Sequence, residues 1–355
     1  MQKKALLRRL LEKQNIDGIL ITDLTNVRYL TGFTGSSGYA VITKNHAVLA
    51  TDFRYQEQVR YEVRGWNIKI EHTERSKEIK NICDIYNIKK LGFEDHNITY
   101  GFYRKLVKSG IKLRPLTNIV ESLRIIKSPL EISFIEASVR RAETAFRKLL
   151  PFIKAGVTER KLALKFEELL KLEGCKILPF EVIVAAGFRS ALPHAKPTDR
   201  RIKKGDLVVF DWGGECEGYY SDMTRTILLN GSNVSKQKEL YYEVLMAQKK
   251  AIESVRPGIK ASAVDAAARG YIRQHGYDEF FGHGTGHGVG LAVHEKPVVS
   301  WRSKDTIEED MIFTIEPGIY LPGFGGVRIE DMVIVRKNRA ELLTSLPKKL
   351  KIIEG

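Results

Sequence analysis

The sequence of 355 residues contains little cysteine: Cys83, Cys175 and Cys216 are its only three, and they are widely separated. An odd number of isolated cysteines excludes the disulfide framework of small secreted domains, and the absence of a CxxC pair excludes a zinc ribbon. A reducing compartment fits this composition. We therefore expect a cytoplasmic protein.

Long hydrophobic runs are also absent. No stretch approaches the roughly 20 apolar residues that a membrane span requires. Residues 1–11 carry charges inside their apolar stretch and lack a small-residue cleavage site, which is typical of an amphipathic helix and not of a signal peptide. With 43% hydrophobic and 28% charged residues, the composition indicates a soluble globular protein with no membrane partner.

Neither a phosphate-binding loop nor a concentrated basic segment is present. No Walker sequence occurs, and no GxGxxG lies between a strand and a helix. The net charge of +15 is spread out: residues 1–127 contain 23 basic and 13 acidic side chains, and the remaining residues contain 35 and 30. There is no arginine-rich arm and no basic strand interleaved with aromatic residues. We expect a solvated surface and no nucleic-acid partner.

The length of the chain suggests about two domains. Up to residue 127, short β-like runs alternate with helical patterns, which predicts an α/β domain over residues 1–127. The strand candidates are 18–22, 47–50, 68–70 and 90–93, and the helix candidates are 53–61, 76–86 and 100–108. At the boundary, Ser128 can cap a long helix that begins at Pro129, so the second domain spans residues 128–355.

A helix, a glycine turn and a second helix occur twice in the second domain. Gly156 and Gly258 are 102 residues apart, and so are Gly174 and Gly276. Each helix pair precedes a predicted β hairpin, the first at 207–226 and the second at 311–335. The pattern predicts an internal duplication that forms one α+β domain, with a central antiparallel sheet and helices outside. A site between the halves would draw on both hairpins.

The first hairpin contains two carboxylates. If it is symmetric about the bond between Cys216 and Glu217, Asp211 lies opposite Asp222 on one face. Like charges in that arrangement destabilise a sheet unless something positive lies between them. A metal ion is the simplest candidate.

The second hairpin adds Glu316 and Glu330 between apolar neighbours, and a glycine-rich segment between the hairpins adds His287. Charged residues in such strands are costly unless they are paired or bind a cation. Four carboxylates and one imidazole form a hard, oxygen-rich ligand set. It suits two divalent ions such as Mn²⁺ or Co²⁺ better than a sulfur-rich structural zinc site.

These five residues, in this order, resemble the dinuclear site of the methionine aminopeptidase/creatinase superfamily, the M24 metallopeptidases. The local sequences Ser-Asp-Met-Thr-Arg-Thr, Gly-His-Gly-Val-Gly, Glu-Pro-Gly and Val-Arg-Ile-Glu-Asp carry the resemblance over residues 128–345. It implies an α+β pita-bread catalytic domain with a pseudo-twofold duplication, preceded by a smaller α/β creatinase-like domain.

Four further residues, together with the preceding α/β domain, make the chain similar to the proline peptidase branch, aminopeptidase P and prolidase. They are His194, His283, His294 and Arg328. The resemblance implies two divalent ions per subunit, Mn²⁺ first, with Co²⁺ and Zn²⁺ as alternatives. It assigns one ion to Asp211 and Asp222, and the second to Asp222, His287, Glu316 and Glu330, with Asp222 and Glu330 bridging.

The resemblance also implies roles for the residues around the metals. Glu316 would be the proton shuttle. His283 and His294 would contact the substrate and stabilise the tetrahedral intermediate. His194 would contact the proline side, and Arg328 would orient Glu316 or Glu330 or contact the substrate carboxyl group.

The expected reaction is hydrolysis of the bond between an N-terminal residue and a following proline, as in a Xaa-Pro aminopeptidase. A strict Xaa-Pro dipeptidase is the alternative within the enzyme class. Methionine aminopeptidase fits less well because its members usually lack the α/β domain. A non-catalytic binding protein of the same fold is the alternative outside the enzyme class, although such proteins typically lose ligands and all five are present here. The family also implies a homodimer.

Overall fold

The computed structural model describes residues 2–354, which fold into two compact units. The first unit ends at Arg124 and the second begins at Ile125, three residues before the predicted boundary at 127/128. Among residues 2–354, none of the helices combines the length and the apolar character needed to cross a membrane.

The first unit is built on a mixed sheet with the strand order β4-β3-β2-β1-β5-β6. Strands β1, β5 and β6 are parallel to one another, as are β3 and β4, whereas β2 is antiparallel to both of its neighbours. The strands are β1 Gly18–Ile21, β2 Tyr39–Thr43, β3 Ala47–Thr51, β4 Asn67–Ile70, β5 Lys90–Glu94 and β6 Lys112–Leu116. The four predicted strands are confirmed, and β2 and β6 were not predicted.

Helices cover this sheet and bury its apolar side chains, such as Leu20 and Leu91, which are fully buried with Ile79 and Leu106 of the helices. The helices are α1 Gln2–Gln14, α2 Leu24–Thr31, α3 Gln56–Glu62, α4 Arg75–Ile85, α5 Tyr100–Lys108 and α6 Glu121–Arg124. The three predicted helices correspond to α3 with the 3-10 turn before it, α4 and α5. This confirms the α/β layer architecture of the unit.

The second unit contains two helix pairs that repeat at the predicted offset. They are α7 Pro129–Leu149 with α8 Glu159–Leu172, and α9 Ser235–Ser254 with α10 Ala261–Gln274. Helices α8 and α10 begin 102 residues apart and end 102 residues apart. Ser128 caps α7 through a capping box with Glu131, as its sequence context predicts. The duplication is therefore visible in the helices.

Strands follow each helix pair, but they form two main sheets and not one central sheet. The first has the order β19-β11-β8-β7 and the second has the order β13-β12-β14-β17-β18; each half also carries a short two-stranded ribbon, β9-β10 or β15-β16. The strands are β7 Ile183–Ala186, β8 Leu207–Trp212, β9 Glu215–Cys216, β10 Tyr219–Tyr220, β11 Met223–Leu229, β12 Gly286–Gly288, β13 Glu295–Val299, β14 Ile312–Ile315, β15 Gly318–Leu321, β16 Gly325–Arg328, β17 Asp331–Val335, β18 Ala340–Leu342 and β19 Lys351–Ile353.

The register of the first hairpin differs from the prediction. Asp211 pairs with Thr224 and not with Asp222. The turn consists of Glu217 and Gly218, both with positive φ (50° and 78°), the geometry of a two-residue type I′ hairpin turn. The centre of the hairpin is therefore one position later than predicted. Asp222 lies two residues before Thr224, so it remains diagonal to Asp211 on the same face.

The two halves meet where β11 passes the end of β16. The backbone N–H of Glu330 donates to the carbonyl of Thr224 at 3.1 Å, and the hydroxyl of Thr226 donates to the carbonyl of Arg328 at 2.9 Å. Arg225 donates to the carbonyl of Glu330 at 2.6 Å. These bonds fix residues of the second hairpin against the first and bring their carboxylates together.

Candidate active site

All nine predicted site residues line one cavity of about 570 Å³ in the second unit. They come from both halves of the duplication: Asp211 and Asp222 from the first hairpin, and Glu316, Arg328 and Glu330 from the second. The three remaining histidines of the cavity besides His287 are His194, His283 and His294. The structure thus brings together every residue that the sequence singled out.

Three of the five predicted metal ligands form a compact cluster. Ligand atoms of Asp222, His287 and Glu330 all lie within 4.8 Å of one another. Nε2 of His287 is 3.5 Å from Oδ2 of Asp222 and 3.3 Å from Oε1 of Glu316. The distances place a third carboxylate beside the cluster and leave room for a cation among the four groups.

His287 presents its imidazole to these carboxylates as an acceptor. Its Nδ1 lies 3.1 Å from the carbonyl oxygen of Gly288, so we assign the ring proton to Nδ1. Burial lowers the pKa of His287, which keeps the ring neutral. The Nε2 lone pair therefore faces carboxylate oxygens, and that arrangement is favourable with a cation between them.

The carboxylates repel one another in a buried setting. Burial raises the pKa of Asp222 well above its ordinary value, and the charges of Asp211 and Glu316 raise it further. Burial also raises the pKa of Glu330 well above its ordinary value, and the charges of Asp222 and Glu316 raise it further. Burial also raises the pKa of Glu316. Such a concentration of negative charge is stable when protons or metal ions neutralise it.

Two buried carboxylate oxygens show that the site has unused acceptors for metal ions. Oδ1 of Asp211 and Oε1 of Glu330 are buried, and neither has a hydrogen-bond partner within residues 2–354. The second oxygen of Glu330 accepts a hydrogen bond from the Thr224 hydroxyl at 2.7 Å. A buried carboxylate oxygen without a donor is costly unless a cation binds it. The donor set therefore fits divalent metal ions.

Arg328 pairs with Asp211, not with Glu316 or Glu330. Its Nη2 donates to Oδ2 of Asp211, and its Nε donates to the hydroxyl of Thr224 at 3.1 Å. Nη1 donates to the phenol oxygen of Tyr320 at 2.9 Å and to the carbonyl of Pro193 at 3.2 Å. Arg328 is buried, with 3% of its surface exposed, and nearly all of its N–H donors face protein oxygens.

Both ring nitrogens of His283 also have protein neighbours. Nδ1 lies 2.8 Å from the carbonyl oxygen of Gly284, and Nε2 lies 2.9 Å from the hydroxyl of Tyr320. Burial lowers the pKa of the ring. His294 differs, because its ring has no hydrogen bond to any described residue and lies against His287, with ring centres 4.3 Å apart and the ring planes tilted by 59°. His194 lies exposed at the side of the cavity.

Tyr320 is the site residue that sequence reasoning missed. Its side chain is buried on β15 and connects His283 to Arg328. The two glycines beside it were the available signal: a Cβ at Gly318 would lie 2.5 Å from the phenol oxygen, and one at Gly326 would lie 2.8 Å from the ring. Glycine at both positions makes room for the phenol.

A duplicated α+β domain that brings four carboxylates and an imidazole to one cavity defines a metallopeptidase of the pita-bread fold. Residues 133–337 match the model of metallopeptidase family M24, and residues 4–126 match that of the creatinase/prolidase N-terminal domain. The chain belongs to metallopeptidase family M24. Its members depend on divalent metal ions, in agreement with the donor set described above.

Known proteins resemble the chain over nearly its full length. A Xaa-Pro dipeptidase of Pyrococcus horikoshii is 42% identical over 345 residues, covering 96% of each chain. The solved structure of a Xaa-Pro dipeptidase from Bacillus anthracis has a TM-score of 0.97 and 39% identity, covering 99% of each chain. That of an X-Pro aminopeptidase from Thermotoga maritima has a TM-score of 0.90 and 34% identity, covering 96% of this chain and 98% of that one.

Proposed function

We propose that this protein hydrolyses the peptide bond between an N-terminal residue and a following proline, with dipeptides as its preferred substrates. The cavity that unites the five metal-type ligands with His194, His283, His294 and Arg328 is the observation that carries the proposal. The similarity to Xaa-Pro dipeptidases supports the same specificity. A Xaa-Pro bond lacks an N–H, so an enzyme that holds the carbonyl and the N-terminus avoids the usual recognition of that donor.

Asp211, Asp222, His287, Glu316 and Glu330 would hold two divalent ions, which we propose to be Mn²⁺, with Co²⁺ or Zn²⁺ as alternatives. Two such ions would supply Lewis-acid activation of water and of the scissile carbonyl. The unpartnered oxygens of Asp211 and Glu330 support ligation by both hairpins. In this assignment Asp222 and Glu330 would contribute to holding both ions, and Asp211 to holding one.

Glu316 is the proposed proton shuttle. Burial raises the pKa of its carboxyl group, which makes it a better base than an exposed glutamate, while the hydroxyl of Thr314 holds its Oε1 at 3.0 Å. The protein fixes Glu316 further through its backbone N–H, which donates to the carbonyl of Thr285 at 2.8 Å. A shuttle needs this fixed position to collect a proton from water and deliver it to the leaving nitrogen.

The histidines and Arg328 divide into two groups in the proposed mechanism. His294 and His194 have no protein hydrogen bond within residues 2–354, so their rings can bind the substrate. Both ring nitrogens of His283 lie next to protein atoms. To bind the substrate oxygen, His283 would have to give up its hydrogen bond with Tyr320. Arg328 acts as a positioning residue for Asp211, because its donors are committed to Asp211, Tyr320 and other protein oxygens.

A cation at the cavity supports the preference for dipeptides. Arg302 lines the cavity with its guanidinium 5.5 Å from the ring centre of Trp301, and Trp301 packs in turn on Arg269 at 4.5 Å. Asp265 pairs with Arg269 at 2.9 Å, but no carboxylate in the part of the chain that the structure describes pairs with Arg302. A free guanidinium suits the C-terminal carboxylate of a dipeptide.

Comparing three substrates tests this proposal: a Xaa-Pro dipeptide, the same dipeptide with an amidated C-terminus, and a Xaa-Pro-Yaa tripeptide, each with metal-loaded enzyme. We expect the highest kcat/KM for the free dipeptide. Arg302→Gln should raise the KM of the dipeptide about 10-fold and leave the amide unchanged, because a charge-assisted hydrogen bond is worth about 1.5–3 kcal/mol. Arg339→Gln, an exposed arginine on the β17–β18 turn, is the matched control.

Other outcomes separate the alternatives. Faster hydrolysis of the tripeptide would favour a Xaa-Pro aminopeptidase, which the similarity to the Thermotoga maritima structure also supports. Efficient cleavage of Met-Ala peptides without a proline preference would point to methionine aminopeptidase activity. A purified protein that binds no Mn²⁺, Co²⁺ or Zn²⁺ and cleaves no prolyl peptide would contradict the proposed enzymatic activity. That result would favour a non-catalytic binding protein.

Two further properties belong to the proposal. We infer a cytoplasmic location, which the three free cysteines support because all of them are buried and none forms a disulfide. We also infer a homodimer, as the family resemblance implies. Light scattering on the purified protein would measure its mass, and a monomer at micromolar concentration would contradict this inference.

A further inference from the structure

Lys127 and Glu295 form an ion pair that is almost completely buried. Nζ of Lys127 lies 3.4 Å from Oε2 of Glu295, and only 2% and 6% of the two side chains are exposed. Because both ions lose their hydration, such a pair often stabilises a fold no more than apolar residues of the same size would. The contacts of the pair indicate a role beyond stability.

Glu295 holds together the turn that follows the ligand strand β12. Its Oε1 accepts a hydrogen bond from the backbone N–H of Ala292 at 3.0 Å, and the N–H of Gly290 donates to the carbonyl of Ala292 at 3.0 Å. A Cβ at Gly290 would lie 2.6 Å from the Glu295 carboxylate, so glycine is needed for this close approach. Residues 290–295 are thus folded around one carboxylate.

His294 lies in this turn, directly before Glu295. Its ring has no hydrogen bond to any described residue and rests on His287, with ring centres 4.3 Å apart at an angle of 59°. No side-chain bond of its own therefore orients His294. The position of its backbone decides where the ring points in the cavity, and Glu295 fixes that backbone.

Lys127 is itself anchored by the main chain. Its backbone N–H donates to the carbonyl of Asp310 at 3.1 Å, and its Nζ donates to the carbonyl of Ile125 at 3.2 Å. Ser128, the next residue, caps the long helix α7. The Lys127 side chain therefore has a fixed position, and its ion pair holds the carboxylate of Glu295 in place.

We propose that Glu295, held by Lys127, is a positioning residue that sets His294 against the substrate. The proposal rests on the proposed function, because His294 is assigned to the substrate there. Glu295 touches neither substrate nor metal in this account, and it acts through the backbone of residues 290–295. Removing the Glu295 carboxylate should therefore lower the activity only in a protein that retains His294.

A double-mutant cycle tests this dependence in the metal-loaded enzyme. Glu295→Gln should lower the kcat/KM for a Xaa-Pro dipeptide about 10- to 100-fold, because small misplacements of a site residue cost that much. In the His294→Ala background the same substitution should change kcat/KM by less than about twofold. An equal fold-loss in both backgrounds would overturn the proposal. Glu309→Gln, at an exposed glutamate, should leave kcat/KM unchanged.

A crystal structure of metal-loaded Glu295→Gln gives a readout independent of activity. We expect the His294 ring to move away from His287 while the five proposed metal ligands stay in place. An unmoved ring would contradict the proposal. If Glu295→Gln fails to fold because a buried charge pair is broken, Lys127→Met/Glu295→Gln removes both charges and enters the same cycle with the same expected results.

These results separate the two proposals. If the wild-type enzyme cleaves no Xaa-Pro peptide, the proposed function fails, yet the position of His294 in the variant still tests whether Glu295 sets it. If the wild-type enzyme cleaves the dipeptide and the cycle is additive, the proposed function stands and the positioning role is wrong.

Discussion

Tyr320 and Arg328 lie on the paired strands β15 and β16, and Nη1 of Arg328 donates a hydrogen bond of 2.9 Å to the Tyr320 phenol oxygen. The same oxygen lies 2.9 Å from Nε2 of His283. Because Nδ1 of His283 faces the carbonyl of Gly284, we assign Nε2 as the acceptor of the phenol proton. One hydroxyl group therefore orients both the imidazole and the guanidinium that holds Asp211.

Tyr320→Phe should lower kcat/KM for a Xaa-Pro dipeptide about 10-fold, the effect of losing roughly 1–1.5 kcal/mol of hydrogen bonding. The ring remains to fill the space, and none of the five proposed ligands is changed, so the bound metal should be the same as in the wild-type enzyme. Steady-state kinetics and metal analysis measure the two quantities. Tyr242→Phe, at a half-exposed tyrosine, is the control. Unchanged kinetics, or loss of metal, would contradict this role.

Metal loading should displace protons from the carboxylates of the proposed metal site. Burial and neighbouring charges raise the pKa values of Asp222 and Glu330, so without a cation these groups keep protons at pH values where exposed carboxylates have lost them. Titrating Mn²⁺ into chelator-treated protein at pH 7, in buffers of different ionisation enthalpy, should show release of roughly one proton per subunit. Binding heats that are independent of the buffer would be inconsistent with this charge distribution.

Asp331 should contribute stability that is lost in acid. Burial alone would raise the pKa of Asp331, but the charges of Arg225 and Lys348 outweigh it and lower the pKa from 3.8 to about 2. The folded state therefore binds the proton less tightly than the unfolded state. The contribution, about 2 kcal/mol, is complete above about pH 5 and is lost as the pH falls through about 2.

The variant Asp331→Asn tests this linkage through thermal unfolding. At pH 7 it should be less stable than the wild type by about 3–5 kcal/mol, because Arg225 is left buried without its partner. The difference between wild type and variant should shrink between pH 4 and pH 2. The exposed control Asp199→Asn should change neither value. A difference that stays constant with pH would contradict the assignment.

Local signals in the sequence predict much of this fold. Ser128 and Pro129 fix the start of α7, and the glycines at 156, 174, 258 and 276 mark turns with positive φ that end or separate the helices. The carboxylates within apolar strands indicate the metal-type cavity because isolated buried charges are costly. These features depend on neighbouring residues, so they can be read without knowing the rest of the structure.

Other features depend on which conformation a turn adopts and on distant contacts. The hairpin register was wrong by one position because Glu217, a residue that disfavours positive φ, forms the turn with Gly218. Strand β6 contains Pro115 and was not predicted, although an edge strand tolerates proline. The pairing of Arg328 with Asp211 joins residues 117 positions apart, and no local pattern indicates it.

Metal analysis of the wild-type enzyme and two variants, after loading with Mn²⁺ and exhaustive dialysis, tests the central claim most directly. The account predicts two ions per subunit in the wild type. Asp211→Asn, which removes a proposed ligand of one ion, should retain about one. Asp222→Asn, which removes the proposed bridging ligand, should retain none and have no turnover. A wild-type enzyme that binds no divalent ion, or an Asp222→Asn variant that keeps both ions, would contradict the account.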